Sequence, residues 1–436
     1  MRWMPGVASC LVVAAACAVS ASAGAETTWV HAGRVLDIES GHWLQDQDIA
    51  LESGKISAIS DHDPVRWDDS LQAARRIDWS AYAVVPGLMD MHTHLADEAE
   101  MADPAVPLRS NPARDAFIGA ANARHTLRAG FTTVRDVGTY RGFADVALRD
   151  AIKADRIEGP RMFVAGAYIT ITGGGGELTG LPKGTQVPAE FRRGVANNAR
   201  EVREKVNALL DGGADFIKVI ATGAVLAAGT EPGEPEYSEA QIRAAVETAT
   251  RRGSFVTAHA HGAEGIKRAV RAGVRSIEHG SLMDDEAIAL MKKHGTWLVA
   301  DIYNGDYIDT VGRAAGWSEE ILRKNTQTTD VQRQGFRKAV TAGVKIAYGT
   351  DAGVYPHGDN ARQFAYMVRY GMTPIQAIRA ATIESARLLK QDTTLGSITV
   401  GKIADLVAVA CDPLEDIECL RQVRGVIKSA RLVSLE

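Results

Sequence analysis

Cysteine is scarce in this chain: four residues in 436, of which Cys10 and Cys17 fall within the first 25. Only Cys411 and Cys419 remain beyond that point, a single pair whose spacing neither requires nor forbids a disulfide. Long apolar runs are missing as well. Val7 to Val19 is the longest near the start, and it falls short of the ~20 residues that a membrane helix needs, so no span is expected. A formal net charge of -5 without a basic stripe excludes nucleic acid and anionic membrane surfaces as natural partners. A Gly-rich phosphate fingerprint is also lacking after the first strand of the central region, which weighs against an open dinucleotide-binding sheet.

What is present is an ordinary globular composition, 46% hydrophobic and 24% charged, with 42 glycines available for tight βα connections. Residues 1–25 read as a signal peptide: Arg2, the apolar stretch, then small residues at Ala21-Ser22-Ala23 and Ala23-Gly24-Ala25. Export, periplasmic or secreted, is the expectation. Short strand patterns then run from Thr28-Trp29-Val30 through Lys55 to Ile59, and the texture returns at Gly401 to Val409 and Val423 to Ile427. Both chain ends should therefore build one small β-sandwich domain, residues 26–83 with 393–436. Between them, residues 84–392, eight apolar runs, Val84–Met91, Thr132–Val137, Arg161–Ala165, Phe216–Ile220, Phe255–Ala258, Arg275–Glu278, Trp297–Ile302 and Lys345–Tyr348, alternate with amphipathic stretches such as Arg192–Leu210 and Thr326–Ala342, several of which end at glycines suited to helix C-caps, Gly273 and Gly343 among them. That alternation predicts an α/β fold, a (β/α)8 TIM barrel.

Chemistry in such a barrel sits at the carboxyl ends of its strands. His92 and His94 stand there, and residues i and i+2 of a strand point to one face, so the two imidazoles can chelate a divalent metal. Further along come Lys218, His259 and His261, His279 and Asp351. Taken singly, a strand-end histidine is as often structural as ligating, and Gly349-Thr350-Asp351 could be a plain turn. Lys218 resists a bland reading. It is a lone cation within Phe216-Ile217-Lys218-Val219-Ile220, and an ammonium buried there must be paired, neutral or chemically modified.

These residues, together with Val85-Pro86-Gly87-Leu88-Met89-Asp90-Met91-His92-Thr93-His94, Ile277-Glu278-His279-Gly280 and Gly401-Lys402-Ile403-Ala404-Asp405-Leu406, resemble the amidohydrolase superfamily, in its imidazolonepropionase- and prolidase-like branch. The resemblance implies two divalent metal ions, zinc by default. His92 and His94 would hold the more buried ion and His259 and His279 the more exposed one. Carboxylated Lys218 would bridge them, and Asp351 would serve as ligand and proton shuttle. It implies a small amide or peptide substrate cleaved to release a C-terminal amino acid, as in dipeptidases, carboxypeptidases and ochratoxin A hydrolases, and a homo-oligomer, octamers being frequent. His261 and Tyr237 are then candidate substrate contacts. One departure stands out: where relatives carry a histidine in a Thr-Gly-Gly-His-Gly loop, this chain has Gly175 within Thr172-Gly173-Gly174-Gly175-Gly176. Ring opening of a cyclic imide or imidazolone, mononuclear deamination, and a binding protein without catalysis remain open alternatives; Lys218 argues for the binuclear reading.

Overall fold

The computed structural model describes residues 27–67, 75–97 and 103–435; the expected signal peptide lies outside them. Eight parallel barrel positions are filled. Strands Leu88–Thr93, Phe131–Asp136 and Arg161–Val164 pair in that order, and Tyr168–Ile169, Ile217–Ile220, Val256–Gly262, Ser276–Leu282 and Trp297–Val299 form a second run. The third position is shared by Arg161–Val164 and Tyr168–Ile169, broken at Gly166, whose φ is +78°. Residues 345–352 supply the eighth. Leu298 N–H donates to the Lys345 carbonyl (2.8 Å), and Asp351 N–H donates to the His92 carbonyl (2.8 Å), so this segment ties the last strand to the first and closes the ring.

Most barrel strands are buried on both faces, which is why they read as continuous apolar runs rather than alternating ones. The helices end where the glycines foretold. Gly273 and Gly343 cap Ala263–Ala272 and Glu319–Ala342 in the left-handed conformation. Two helix starts differ from the sequence pattern. The stretch from Arg192 becomes helical only at Ala199, because the Asn198 side chain caps the N–H groups of Arg200 and Glu201. The helix expected from Thr326 begins at Glu319, where Ser318 accepts from Ile321.

Strands from both chain ends share one mixed seven-stranded sheet: Arg431–Leu432, Val423–Lys428, Leu406–Val409, Arg75–Pro86, Thr28–Asp37, His42–Glu52 and Lys55–Asp61, in that spatial order. It curls until Lys55 bridges to Ile403, enclosing Val30, Ile49, Leu51, Trp79, Leu406 and Ile427. The run from Val84 to Met91 is two strands, not one. Val84, Val85 and Pro86 pair with Ala408, Val407 and Leu406 of the small sheet, and the barrel begins at Leu88. Gly87 is the hinge: a Cβ there would stand 2.2 Å from Thr132 Oγ1. Cys411 and Cys419 are disulfide-bonded. No described helix is long and apolar enough to cross a membrane.

Candidate active site

All six residues singled out in the sequence as metal ligands, and His261 beside them, line one cleft at the carboxyl end of the barrel: His92, His94, Lys218, His259, His279 and Asp351. His92 ends the first strand inward, and His94 follows it one residue past the strand. Their Nε2 atoms converge on Asp351 Oδ1, at 3.3 and 3.2 Å. Ligand atoms around a tetrahedral metal with bonds of about 2.0–2.1 Å stand about 3.3 Å apart, so each of these nitrogens is spaced from the carboxylate as two ligands of one ion would be. Across the cleft the rings of His259, His261 and His279 lie 4.5 to 4.7 Å apart, and their nitrogens also converge. His279 Nδ1 is buried and comes within 3.0 Å of Asp301 Oδ1 without the alignment of a hydrogen bond. An orphaned imidazole nitrogen beside a carboxylate is what a metal site looks like in the absence of its cation.

Lys218 lies on the inner face of the fourth strand, in register with Tyr168 on one side and Thr257 on the other, and is almost wholly buried. Its ammonium has no hydrogen bond or ion pair among the described residues. Burial pushes its pKa down to about 8, with Glu278 and Asp351 opposing and Arg135 reinforcing. Burial and neighbouring imidazoles hold His259 well below the ordinary histidine value and His261 at about 3, so both are in the neutral form that binds metals. His94 goes the other way. Against burial, the Asp351 carboxylate raises it to about 9, and a bound cation would stand where that proton sits.

Each of these side chains is steered from behind. His92 Nδ1 is 2.9 Å from Glu278 Oε2, and His94 Nδ1 is 2.9 Å from the Gly138 carbonyl, which fixes the Nε2 atoms as the ones that face the cleft. Glu278 is in turn bound by Arg135 Nη2 at 2.7 Å, both side chains being fully buried. Asn304 Nδ2 donates to Asp351 Oδ2 (3.1 Å) and to Asp301 Oδ2 (2.8 Å), and Gln332 donates to Asp301 Oδ1 (2.8 Å). Buried Asp90 accepts from Thr350 Oγ1 (2.6 Å) and Asn360 Nδ2 (2.8 Å), stapling the first strand to the turn that carries Asp351. That turn needs holding, because Asp351 adopts a positive φ of +57°, at a cost of order 1 kcal/mol; His279, on its own strand, does the same at +67°.

Two sequence expectations are corrected or reshaped. Tyr237 does not reach the cleft: its ring sits in the core, almost wholly buried, and its hydroxyl commits its one proton to the Ala196 carbonyl at 2.6 Å. Tyr168, unmarked in the sequence, takes a place on the rim, its hydroxyl 3.1 Å from His94 Nδ1. At Gly175 a Cβ would meet Ala224 Cβ at 3.0 Å and its N at 3.1 Å, so the loop that relatives use for an imidazole is here closed down on an apolar wall. The Gly175 N–H is instead anchored by Glu236 Oε1 at 2.8 Å. His357 holds the His94 carbonyl from behind (3.2 Å). Arg135, Glu278 and Asp301 were missed as supports, although the first two carry the mark that flagged Lys218, a charge inside an apolar strand.

A ring of imidazoles, two carboxylates and a partnerless lysine at the mouth of an eight-stranded barrel is a set of side chains that could hold a divalent metal. Residues 83–433 match the amidohydrolase family, and the chain belongs to it. It is 31% identical to ochratoxinase from Aspergillus niger over 419 residues, 92% of this chain and 85% of that protein. Among solved structures, a Xaa-Pro dipeptidase with methionine bound in its active site is 39% identical, with a TM-score of 0.86 over 94% of this chain and 100% of that one. A prolidase complexed with N-methylphosphonate-L-proline is 31% identical, with a TM-score of 0.85 over 93% and 99% of the two chains. The protein is a hydrolase of amide bonds.

Proposed function

We propose that this enzyme is a binuclear metal-dependent peptidase that releases the C-terminal amino acid of a dipeptide or N-acyl amino acid, ochratoxin A being one compound of that class. The observation that carries the reading is Lys218, buried without a partner between two converging sets of imidazoles. Carboxylation would turn its amine into a two-oxygen anion able to join two ligand sets, His92, His94 and Asp351 on one side and His259 and His279 on the other. Two zinc ions held there would lower the pKa of water and polarise the scissile carbonyl.

The chain's own groups do the rest. Asp351 has Oδ2 held by Asn304 and Oδ1 turned to the histidines, which positions it to take a proton from the attacking water and pass it to the departing amine. His261 shares Nδ1 with Ser281 Oγ at 2.7 Å, so Nε2 is the ring atom left to meet a substrate oxygen. Ile220, Ala224, Val225, Leu226, Ile308 and Val354 form an apolar wall for a side chain, and Lys218 is the one lysine or arginine along the cleft among the described residues. A substrate with apolar groups on both sides of the amide suits that lining. The dipeptidase holding methionine and the prolidase holding a proline phosphonate support an amino acid as the leaving group.

The test is a panel of dipeptides and N-acyl amino acids with varied last residues, assayed with zinc and bicarbonate. Apolar last residues should turn over, and Lys218→Ala should fall to background. Fewer than one divalent metal per chain, with turnover indifferent to chelation, would refute the proposal.

A further inference from the structure

A second cluster of histidine and aspartate side chains able to hold a metal ion stands on the small domain, outside the cleft. In the curled sheet His31 is in register with Asp48 on one neighbouring strand and with Asp78 on the other. Residues opposed in this way share a face. Their neighbours Val30, Ala32, Ile49, Leu51, Ile77 and Trp79 fill the domain core, so the polar row lies on the outer face. Asp46, two residues before Asp48, and His62, two beyond the Ser60 that pairs with Asp48, join the same face.

The geometry there is tight. The His31 and His62 rings stack at 3.7 Å with 9° between their planes. His31 Nε2 is 2.7 Å from Asp46 Oδ1, and His62 Nδ1 is 2.9 Å from Asp48 Oδ1. Ligand atoms of His31, Asp48 and His62 all lie within 4.8 Å of one another. Asp48 is fully buried, roofed by Trp67, whose Nε1 donates to Oδ1 at 3.0 Å, and by the Asp63 N–H at 3.0 Å. Three carboxylates thus gather around two imidazoles, against which stands Arg66, 3.7 Å from Asp48 Oδ2. Nitrogen and oxygen donors in this number suit zinc, nickel or copper rather than magnesium or calcium.

We propose that His31, His62 and Asp48, with Asp46 within reach, bind one divalent transition-metal ion that ties three strands and the Pro64–Trp67 turn together. The site is independent of the catalytic one and supports the fold of the small domain rather than hydrolysis.

The experiment counts zinc by mass spectrometry on the full chain after equilibration with micromolar zinc and desalting. His31→Gln and His62→Gln should each lose one equivalent relative to wild type with unchanged amide turnover. His259→Asn should lose catalytic metal while keeping the outer equivalent, so a failure of the catalytic reading leaves this count intact. Equal zinc in wild type and in folded His62→Gln would overturn the proposal. Should the histidine variants fail to fold, copper quenching of tryptophan fluorescence decides in their place, since the Trp67 ring lies 5.3 Å from His31. Substoichiometric copper should quench wild type and quench Trp67→Phe markedly less; equal fractional quenching overturns the site.

Discussion

Replacing Glu278 by glutamine removes one negative charge from the middle of the barrel and little volume, and its cost can be worked out from the contacts. Glu278 Oε1 accepts from Arg135 Nη2 and Ser276 Oγ, each at 2.7 Å, and from Thr257 Oγ1, while Oε2 faces His92 Nδ1 at 2.9 Å. Burial alone would raise its pKa, yet Arg135 and His92 hold it well below the usual carboxylate range. In Glu278→Gln the Arg135 guanidinium keeps the Met91 carbonyl (2.6 Å) and Ser276 Oγ (2.9 Å) but loses its counter-charge at a fully buried position. Removing one partner of a buried pair costs about 3–5 kcal/mol. The same change takes an anion from behind His92, and loss of such a support weakens metal binding by about 10–100-fold.

Denaturant unfolding of the metal-stripped protein measures the first effect, and equilibrium zinc titration the second. Arg135→Met separates them, because Glu278 then keeps His92 and two hydroxyls, and the double variant should be more stable than the sum of the single losses. A Glu278→Gln protein within about 1 kcal/mol of wild type, with unchanged zinc affinity, would refute the claim that this network positions His92 by charge.

Other outcomes follow from single features. Replacing Cys411 and Cys419 by serine opens a short loop, sequence separation 8, and loop entropy puts the loss at about 2.5 kcal/mol in chemical denaturation, without a direct effect on turnover. Burial pushes Glu236 from 4.5 up to about 7. The unfolded chain therefore ionises first, so stability falls as pH rises from about 4.5 to about 7, by up to about 3 kcal/mol, and Glu236→Gln should flatten that part of a melting-temperature profile. A profile as steep as wild type would assign the slope elsewhere. Gly175→His, which restores the residue common in relatives, should cost 1–3 kcal/mol on thermal unfolding, on the order expected for overpacking, because its Cβ meets Ala224 at 3.0 Å.

The barrel was legible because parallel strands buried on both faces leave unbroken apolar runs, and all eight were found in place. That these side chains share one cleft was legible for a related reason: i, i+2 spacing at His92/His94 and His259/His261 survives in any strand register, and a lysine inside an apolar strand has few explanations. Where the small sheet gives way to the barrel was not legible, since Val84 to Met91 is apolar throughout and the break at Gly87 depends on Thr132, a residue of the next strand. Contacts across the barrel depend on register and are written nowhere in a local window. Glu278 is two strands beyond Lys218, yet it reaches His92 in the first strand, a sequence separation of 186. The two tyrosines show how sharp this limit is. Tyr168 and Tyr237 flank the same fourth strand in sequence, but Tyr168 pairs with Lys218 in the ladder and so inherits its inward face. Tyr237 follows the return loop, on the chain's way to the capped helix Glu239–Arg251, and is drawn into the core around Ala196. Which tyrosine reaches the cleft is therefore set by ladder pairing, and exchanging the two phenols one at a time for phenylalanine should separate the roles: Tyr168→Phe should lower turnover, whereas Tyr237→Phe should lower stability by about 1 kcal/mol, the worth of one buried hydrogen bond, and leave turnover alone.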